Sequence, residues 1–143
     1  MCLGCGLEEE TFEHVLTCSL PSTHAVHNQL LQQLQTSLTN IQTPQPVVDC
    51  IMHGFAAWIH PPQQSRAPTA GSVCPLDIML TQAYHEQFYK SGWYQLCLGR
   101  ISEKWSKIIK LMWGHTTSKS NTEYWASHFI AAIWRFTTAM WTH

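Results

Sequence analysis

Four potential metal ligands lie within the first eighteen residues of this 143-residue chain. They follow the pattern Cys2-x2-Cys5 and then His14-x3-Cys18, in the run MCLGCGLEEETFEHVLTC. The x2 spacing lets two thiolates turn toward one point around the glycines of the loop, and the x3 spacing places an imidazole and a thiolate on one face of a helical turn. Three thiolates and one imidazole suit a closed tetrahedral zinc site. The sequence therefore predicts a structural zinc site at Cys2, Cys5, His14 and Cys18.

Other roles for these cysteines fit the sequence less well. A redox Cys-x-x-Cys pair needs a preceding strand that presents it at a helix N-terminus, whereas only Met1 precedes Cys2. Free cysteines often serve as small core residues, but the segment from residue 2 to 18 is acidic and polar around its cysteines. Zinc is the preferred interpretation, and an ordinary thiol role is the alternative.

The fourth zinc ligand has two candidates. His24 follows Cys18 after five residues and would complete a looser Cys3His pattern, and His27 adds another imidazole nearby. We prefer His14, because a short helix that starts at a residue such as Thr11 aligns it with Cys18. We expect His24 and His27 to face solvent on the next helix.

The run CLGCGLEEETFEHVLTC resembles the zinc-binding motif that follows the polymerase domain in non-LTR retrotransposon reverse transcriptases. Many members place four residues between the histidine and the last cysteine, whereas this chain has three. The resemblance covers about the first twenty residues. It implies a zinc-stabilised, retroelement-derived module that helps hold RNA or DNA near a polymerase encoded upstream of Met1 or since lost. The matching residues are Cys2, Cys5, Glu9, Glu10, Thr11, Glu13, His14, Val15, Leu16 and Cys18.

The composition indicates a globular, intracellular protein. Apolar residues make up 45% of the chain and charged residues only 12%, which suits one domain with a real core. No apolar run is long enough to cross a bilayer and no secretory signal precedes the cysteines, so we expect no membrane contact and reduced thiols in the nucleus or cytoplasm. Cys50, Cys74 and Cys97 lie in apolar helical patterns and are expected in the core.

Hydrophobic periodicity predicts an all-α fold of about five helices. One helix runs from Ser22 or Thr23 to about Leu38, and the next starts near Pro46. The stretch from residue 61 to 73 is rich in proline, glutamine and serine and reads as a linker. The predicted units are a zinc knuckle (1–20), a helical pair (21–60), the linker (61–73) and a C-terminal helical segment (74–143).

The most regular predicted helix runs from about Trp93 to Trp113. Its buried face is expected to carry Cys97, Ile101, Trp105, Ile108 and Met112. Beside that face Arg100, Lys104 and Lys107 form a basic stripe. Residues 1–89 carry seven acids and one base, a net of −6, whereas residues 90–143 carry seven bases and two acids, a net of +5.

The basic stripe and the seven tryptophans each have two interpretations. Arg100, Lys104 and Lys107 can contact nucleic-acid phosphates, or they can form a solvated flank or pair with the acidic first half. Tryptophans at helical spacing are more often core residues than base-stacking platforms. The last helix is apolar around much of its circumference, so an exposed patch there would indicate either a partner surface or a chain cut from a larger protein.

The sequence contains almost no recognisable catalytic motif. The chain has only two aspartates, Asp49 and Asp77, with a linker between them, so two-metal phosphoryl chemistry lacks its ligands. No Gly-rich phosphate loop or nucleophile elbow occurs. We therefore expect that the chain is not an enzyme. We expect instead a zinc-binding accessory module that assists RNA or DNA binding. The alternatives are a helical protein-interaction domain and a retroelement remnant without function.

Overall fold

The computed structural model describes residues 1–60, 75–114 and 119–142. Over these ranges the chain forms seven α-helices and one π-helical turn, and no strand. The predicted all-α fold is confirmed, with seven described α-helices where about five were expected. In chain order they are α1 (Phe12–Thr17), α2 (Pro21–Asn40), α3 (Gln45–Ile59), α4 (Pro75–His85) with the π-helical turn Glu86–Ser91, α5 (Trp93–Cys97), α6 (Glu103–Trp113) and α7 (Lys119–Trp141).

The two longest helices, α2 and α7, pack against each other. α2 has proline in its first turn, where the missing N–H is tolerated because it would have no helical partner. Its outer face is rich in glutamine, and the apolar stripe at spacings of three and four faces the core. None of the described helices combines the length and apolarity needed to cross a bilayer. The buried apolar side chains of α2 and α7 are Leu30, Leu31, Leu34, Leu38, Trp125, Phe129, Ala132, Ile133, Phe136 and Met140.

Helix α3 lies close to the ring of Trp93. Gly54 is buried in α3, and a Cβ atom at this position would lie only 1.8 Å from Trp93 Cζ2. Phe55, the next residue, packs against the same ring in a tilted arrangement, with centroids 5.0 Å apart. Because Gly54 has no side chain, the indole ring of Trp93 in α5 can lie directly against the backbone of α3.

The predicted helix from Trp93 to Trp113 is wrong as one element, because the structure divides it into α5 and α6. Gly99 adopts a φ of +83° between them, a conformation that glycine adopts without strain. Ser102 then caps α6, and its side chain accepts a hydrogen bond from the Lys104 N–H at 3.2 Å. The break lets Trp134 of α7 lie against Gly99, where an added Cβ would meet the indole ring at 2.9 Å. Arg100 consequently lies in the connecting turn and not on a helix.

The predicted linker, residues 61–73, lies outside the described residues, as does Cys74. Buried residues from helices before and after this stretch belong to one hydrophobic core. Cys50 and Cys97 are buried in that core as predicted. Burial raises the pKa of the Cys50 thiol to about 12 and that of Cys97 to about 11, so both remain protonated packing residues at neutral pH.

Candidate metal centre

A closed loop presents the first two cysteines. The Cys2 N–H donates to the Glu8 carbonyl at 2.7 Å, and the Gly6 N–H donates to the Cys2 carbonyl at 2.8 Å. Gly6 has a φ of +65°, which allows the chain to turn back at this point. These backbone bonds bring Cys2 and Cys5 to one side of the loop.

A single helical turn presents the other two residues. The side chain of Thr11 caps α1 by accepting a hydrogen bond from the His14 N–H at 3.1 Å, which agrees with the predicted helix start. Cys18 follows as the C-cap of α1. Buried Leu16, on the same turn, anchors α1 in the hydrophobic core. The cap at Thr11 and the burial of Leu16 together fix the positions of His14 and Cys18 relative to the loop.

The structure brings Cys2, Cys5, His14 and Cys18 together. Each offers one ligand atom, and these atoms all lie within 4.8 Å of one another. Cys5 Sγ is 3.2 Å from His14 Nε2. Cys2 and Cys18 are buried, whereas Cys5 and His14 are half-buried. His24, the alternative ligand, is not a member of this group.

The four donor atoms could bind one tetrahedral ion if they moved slightly closer together. With Zn–S distances near 2.3 Å and Zn–N distances near 2.0–2.1 Å, donors on one tetrahedral ion lie about 3.5–3.8 Å apart. The widest separation of 4.8 Å is thus about 1 Å larger than a bound zinc would require. Rotation of the cysteine side chains about χ1 can supply this movement, so the four residues could bind a metal ion.

The electrostatics of the loop favour a thiolate at Cys5. Hydrogen bonds from the backbone N–H groups of Leu7 and Glu8 lower the pKa of Cys5 to about 6, and His14 adds to this effect. The hydrogen bond to Cys5 in turn raises the pKa of His14. Burial raises the pKa of Cys18. A cation bound among these groups would favour thiolates and a neutral imidazole, as metal ligation requires.

Glu8 orients the imidazole of His14. Its Oε2 atom lies 2.9 Å from His14 Nδ1, so the carboxylate holds one ring nitrogen while Nε2 points toward Cys5. Metal-ligating histidines commonly have such a carboxylate partner on the second nitrogen. The sequence analysis did not identify this role for Glu8. A pairing between a loop residue and a helix residue leaves no periodic signal in the sequence.

The prediction that His24 and His27 face solvent is wrong for His27. His27 is only 2% exposed, and His24 is half-buried with its ring 4.2 Å from that of His60, centroid to centroid. His60 ends α3 and is separated from α2 in sequence, so a local pattern could not indicate this contact.

The three residues of the basic stripe have different environments. Arg100 Nη1 donates to Gln95 Oε1 at 2.8 Å, and Lys104 Nζ pairs with Glu86 Oε2 at 2.8 Å. Lys107 is exposed on α6. Because α6 begins only at Glu103, Arg100 does not share a helix face with the two lysines.

Three comparisons with known proteins found no match. No protein-family model matches the chain. No curated protein matches it, and no solved structure matches it.

Proposed function

We propose that this chain is a zinc-binding structural module in which the metal fastens the N-terminal loop to the helical body. The observation that carries this proposal is the convergence of three thiols and one imidazole within 4.8 Å. Four protein ligands would leave no open position, which is typical of a structural and not of a catalytic zinc. Thiolate ligands point to a reducing, intracellular compartment, and we propose no enzymatic activity.

Packing around α1 explains what the zinc would hold in place. The Phe12 ring contacts Tyr94 of α5 and Trp141 at the end of α7, with centroids 5.4 Å and 6.0 Å apart. α1 has only six residues, too few to be stable as an isolated helix. Zinc bound by His14 and the cysteines would supply the stability that this short helix lacks.

Cobalt substitution tests the ligand set directly. Cobalt bound by three thiolates gives an intense sulfur-to-metal charge-transfer absorption, whereas cobalt bound only by nitrogen and oxygen does not. We expect this absorption in the wild type and its loss in the double variant Cys2→Ser/Cys5→Ser. Cys97→Ser is the matched control, because Cys97 is a buried thiol outside the site. An unchanged spectrum in the double variant would exclude the proposed ligands.

The finer proposal is that the module assists RNA or DNA binding, as its resemblance to the region after a retrotransposon reverse transcriptase implies. Exposed Lys107 and Lys110 on α6 support a phosphate-contacting surface, to which Arg100 and Lys104 would contribute. Trp93 is 2% exposed and cannot stack on bases. Binding of labelled RNA at low and high salt tests this surface. Absent binding at low salt, or binding that Arg100, Lys104 and Lys107 to Glu changes leave unaltered, would exclude it.

A second candidate function is protein binding through α7. Tyr124, Trp134 and Trp141 are 65%, 54% and 47% exposed on this helix, and exposed aromatic residues are enriched at protein interfaces. Triple substitution of these residues by serine should abolish partner binding in a targeted pull-down with a candidate partner. It should leave RNA binding unchanged, which separates the two functions.

A further inference from the structure

An open groove runs along the exposed side of α7 and has a volume of about 480 Å³. Trp134 lies at this α7 groove with 54% of its surface exposed. The other side of its ring lies against Gly99, so packing holds the indole in place while leaving it open to a partner. Small side chains would let a second helix approach α7 closely. Apart from Trp134, the groove is lined by Ala131, Arg135, Thr138, Ala139 and Thr142.

The α7 groove carries positive charge. Arg135 is exposed and makes no ion pair with any residue that the structure describes. Arg100, also exposed, follows the glycine against which Trp134 lies. Arginine and tryptophan are both enriched where proteins bind each other. A partner that carries carboxylates and apolar side chains would therefore match this groove.

The N-terminal loop of the same chain carries the complementary groups. Leu3 and Leu7 are 94% and 82% exposed, and neither belongs to the hydrophobic core. Three consecutive acidic residues, Glu8, Glu9 and Glu10, are exposed beside them. Exposed apolar side chains with a polar rim are typical of an interaction surface. The loop is thus acidic and aliphatic, whereas the groove is basic and aromatic.

The loop and the α7 groove adjoin each other on the surface of one chain. Leu3 and Glu10 line a second cavity, of about 400 Å³, together with Trp141 and Thr142 at the end of α7. Thr142 also lines the α7 groove. One continuous surface therefore has an acidic end at the loop and a basic end at Arg135.

We propose that this surface joins two copies of the chain in a two-fold symmetric dimer, in which the loop of each copy docks on the α7 groove of the other. A surface with opposite charges at its two ends matches itself under a two-fold rotation, because the acidic end of each copy then faces the basic end of its partner. Two-fold dimers are the commonest protein assemblies. The symmetry makes each contact twice and so doubles the buried area. The dimer rests on the second candidate function, because it requires α7 to bind protein.

Sedimentation equilibrium of the purified full chain tests this dimer. We expect a reversible monomer–dimer equilibrium whose Kd rises with salt concentration, because salt screens exposed charge pairs. Glu10→Lys and Arg135→Glu should each raise the Kd at least about tenfold, since each places like charges together in both contacts. An equimolar mixture of these two variants should form a dimer with one copy of each, because both contacts then regain opposite charges.

A second pair of variants removes apolar contacts without reversing charge. It is needed because Glu10 Oε2 accepts a hydrogen bond from the Leu3 N–H at 2.9 Å, so Glu10→Lys can disturb the loop. Leu3→Ser and Trp134→Ser should each raise the Kd as well. Tyr89→Ser is the matched control, because Tyr89 is 69% exposed on the π-helical turn, and it should dimerise as the wild type does. Thermal unfolding identifies any variant that no longer folds.

Several results would overturn the dimer. They are a monomeric wild type at every concentration, a mixture of the two charge variants that does not associate, and equal weakening by Tyr89→Ser. Oligomers that grow without limit would also overturn it, because a two-fold contact closes on itself. If the chain is monomeric and Arg135→Glu loses RNA binding, the groove belongs to nucleic acid. If the chain is monomeric but the triple serine variant of α7 still loses a candidate partner, protein binding stands and only the dimer fails.

Discussion

Replacement of Gly54 by alanine tests the packing at the centre of the fold. The new Cβ would lie 1.8, 2.3 and 2.6 Å from Cζ2, Cη2 and Cε2 of Trp93, whereas carbon atoms pack at about 3.5–4.0 Å. The indole would have to move by about 1.5 Å or more. It is 2% exposed and lies against Phe55 and Tyr84, so no open space receives it.

The expected magnitude follows from two opposing effects. Overpacking a well-filled core costs about 1–3 kcal/mol or more, and alanine improves helix propensity over glycine by about 1 kcal/mol. Because the overlap here is severe, we expect Gly54→Ala to lower the free energy of unfolding by about 2 kcal/mol. The corresponding fall in Tm is about 5 °C. Denaturant unfolding and thermal unfolding, each followed by far-UV circular dichroism, measure the two quantities in Gly54→Ala and the wild type.

Two control variants separate the effect of core packing from the effect of helix propensity. Ala56→Gly, at an exposed position of the same helix, measures the propensity effect alone and should destabilise by about 1 kcal/mol. Adding Trp93→Leu to Gly54→Ala should recover part of the loss, because the two positions are in contact and their effects are not additive. A stabilised Gly54→Ala variant would refute the proposed α3–α5 contact.

Three further predictions concern a buried histidine, a ligand partner and a buried hydrogen bond. The pKa of His27 lies below its ordinary value, so on acidification the unfolded chain takes up a proton on this residue before the folded chain does. The free energy of unfolding should therefore keep its full value above about pH 6.5 and fall by up to about 3 kcal/mol toward pH 4. Urea titrations at several pH values measure this change. Glu8→Gln should weaken zinc binding about tenfold in a chelator competition, since the carboxylate holds His14 Nδ1. Thr43→Val should destabilise the fold by about 1–3 kcal/mol in thermal unfolding, because the buried Trp125 Nε1 then loses the Thr43 hydroxyl acceptor that lies at 3.0 Å.

Each of these predictions has an outcome that contradicts it. A His27→Gln variant whose stability falls with acid as steeply as that of the wild type would assign the pH dependence to other groups. Zinc affinity that is unchanged in Glu8→Gln would show that His14 needs no carboxylate for its orientation. Thr43→Ser keeps the hydroxyl acceptor and should remain close to wild type; a loss equal to that of Thr43→Val would argue against the hydrogen bond.

Features that depend on nearby residues could be predicted from the sequence. The helical classification, the start of α1 at Thr11 and the burial of Cys50 and Cys97 follow from local spacing and apolar periodicity. The convergence of Cys2 with Cys18 also follows, because ligand spacing limits how the short segment can fold. These signals lie within a few turns of the chain.

Features that depend on distant residues could not be predicted. The break at Gly99 occurs where Trp134, 35 residues further on, packs against the backbone. The partner of Lys104 is Glu86 from the π-helical turn, and His60 contacts His24 across two helices. In each case the local sequence pattern contains no information about which distant residue packs there.

The metal content of the protein tests the central claim most directly. Protein purified without chelator and then dialysed against a weak competitor should retain only tightly held metal. We expect about one zinc per chain in the wild type and in His24→Ala, and a small fraction of that in Cys18→Ser. Zinc retained by Cys18→Ser but lost from His24→Ala would contradict the site formed by Cys2, Cys5, His14 and Cys18.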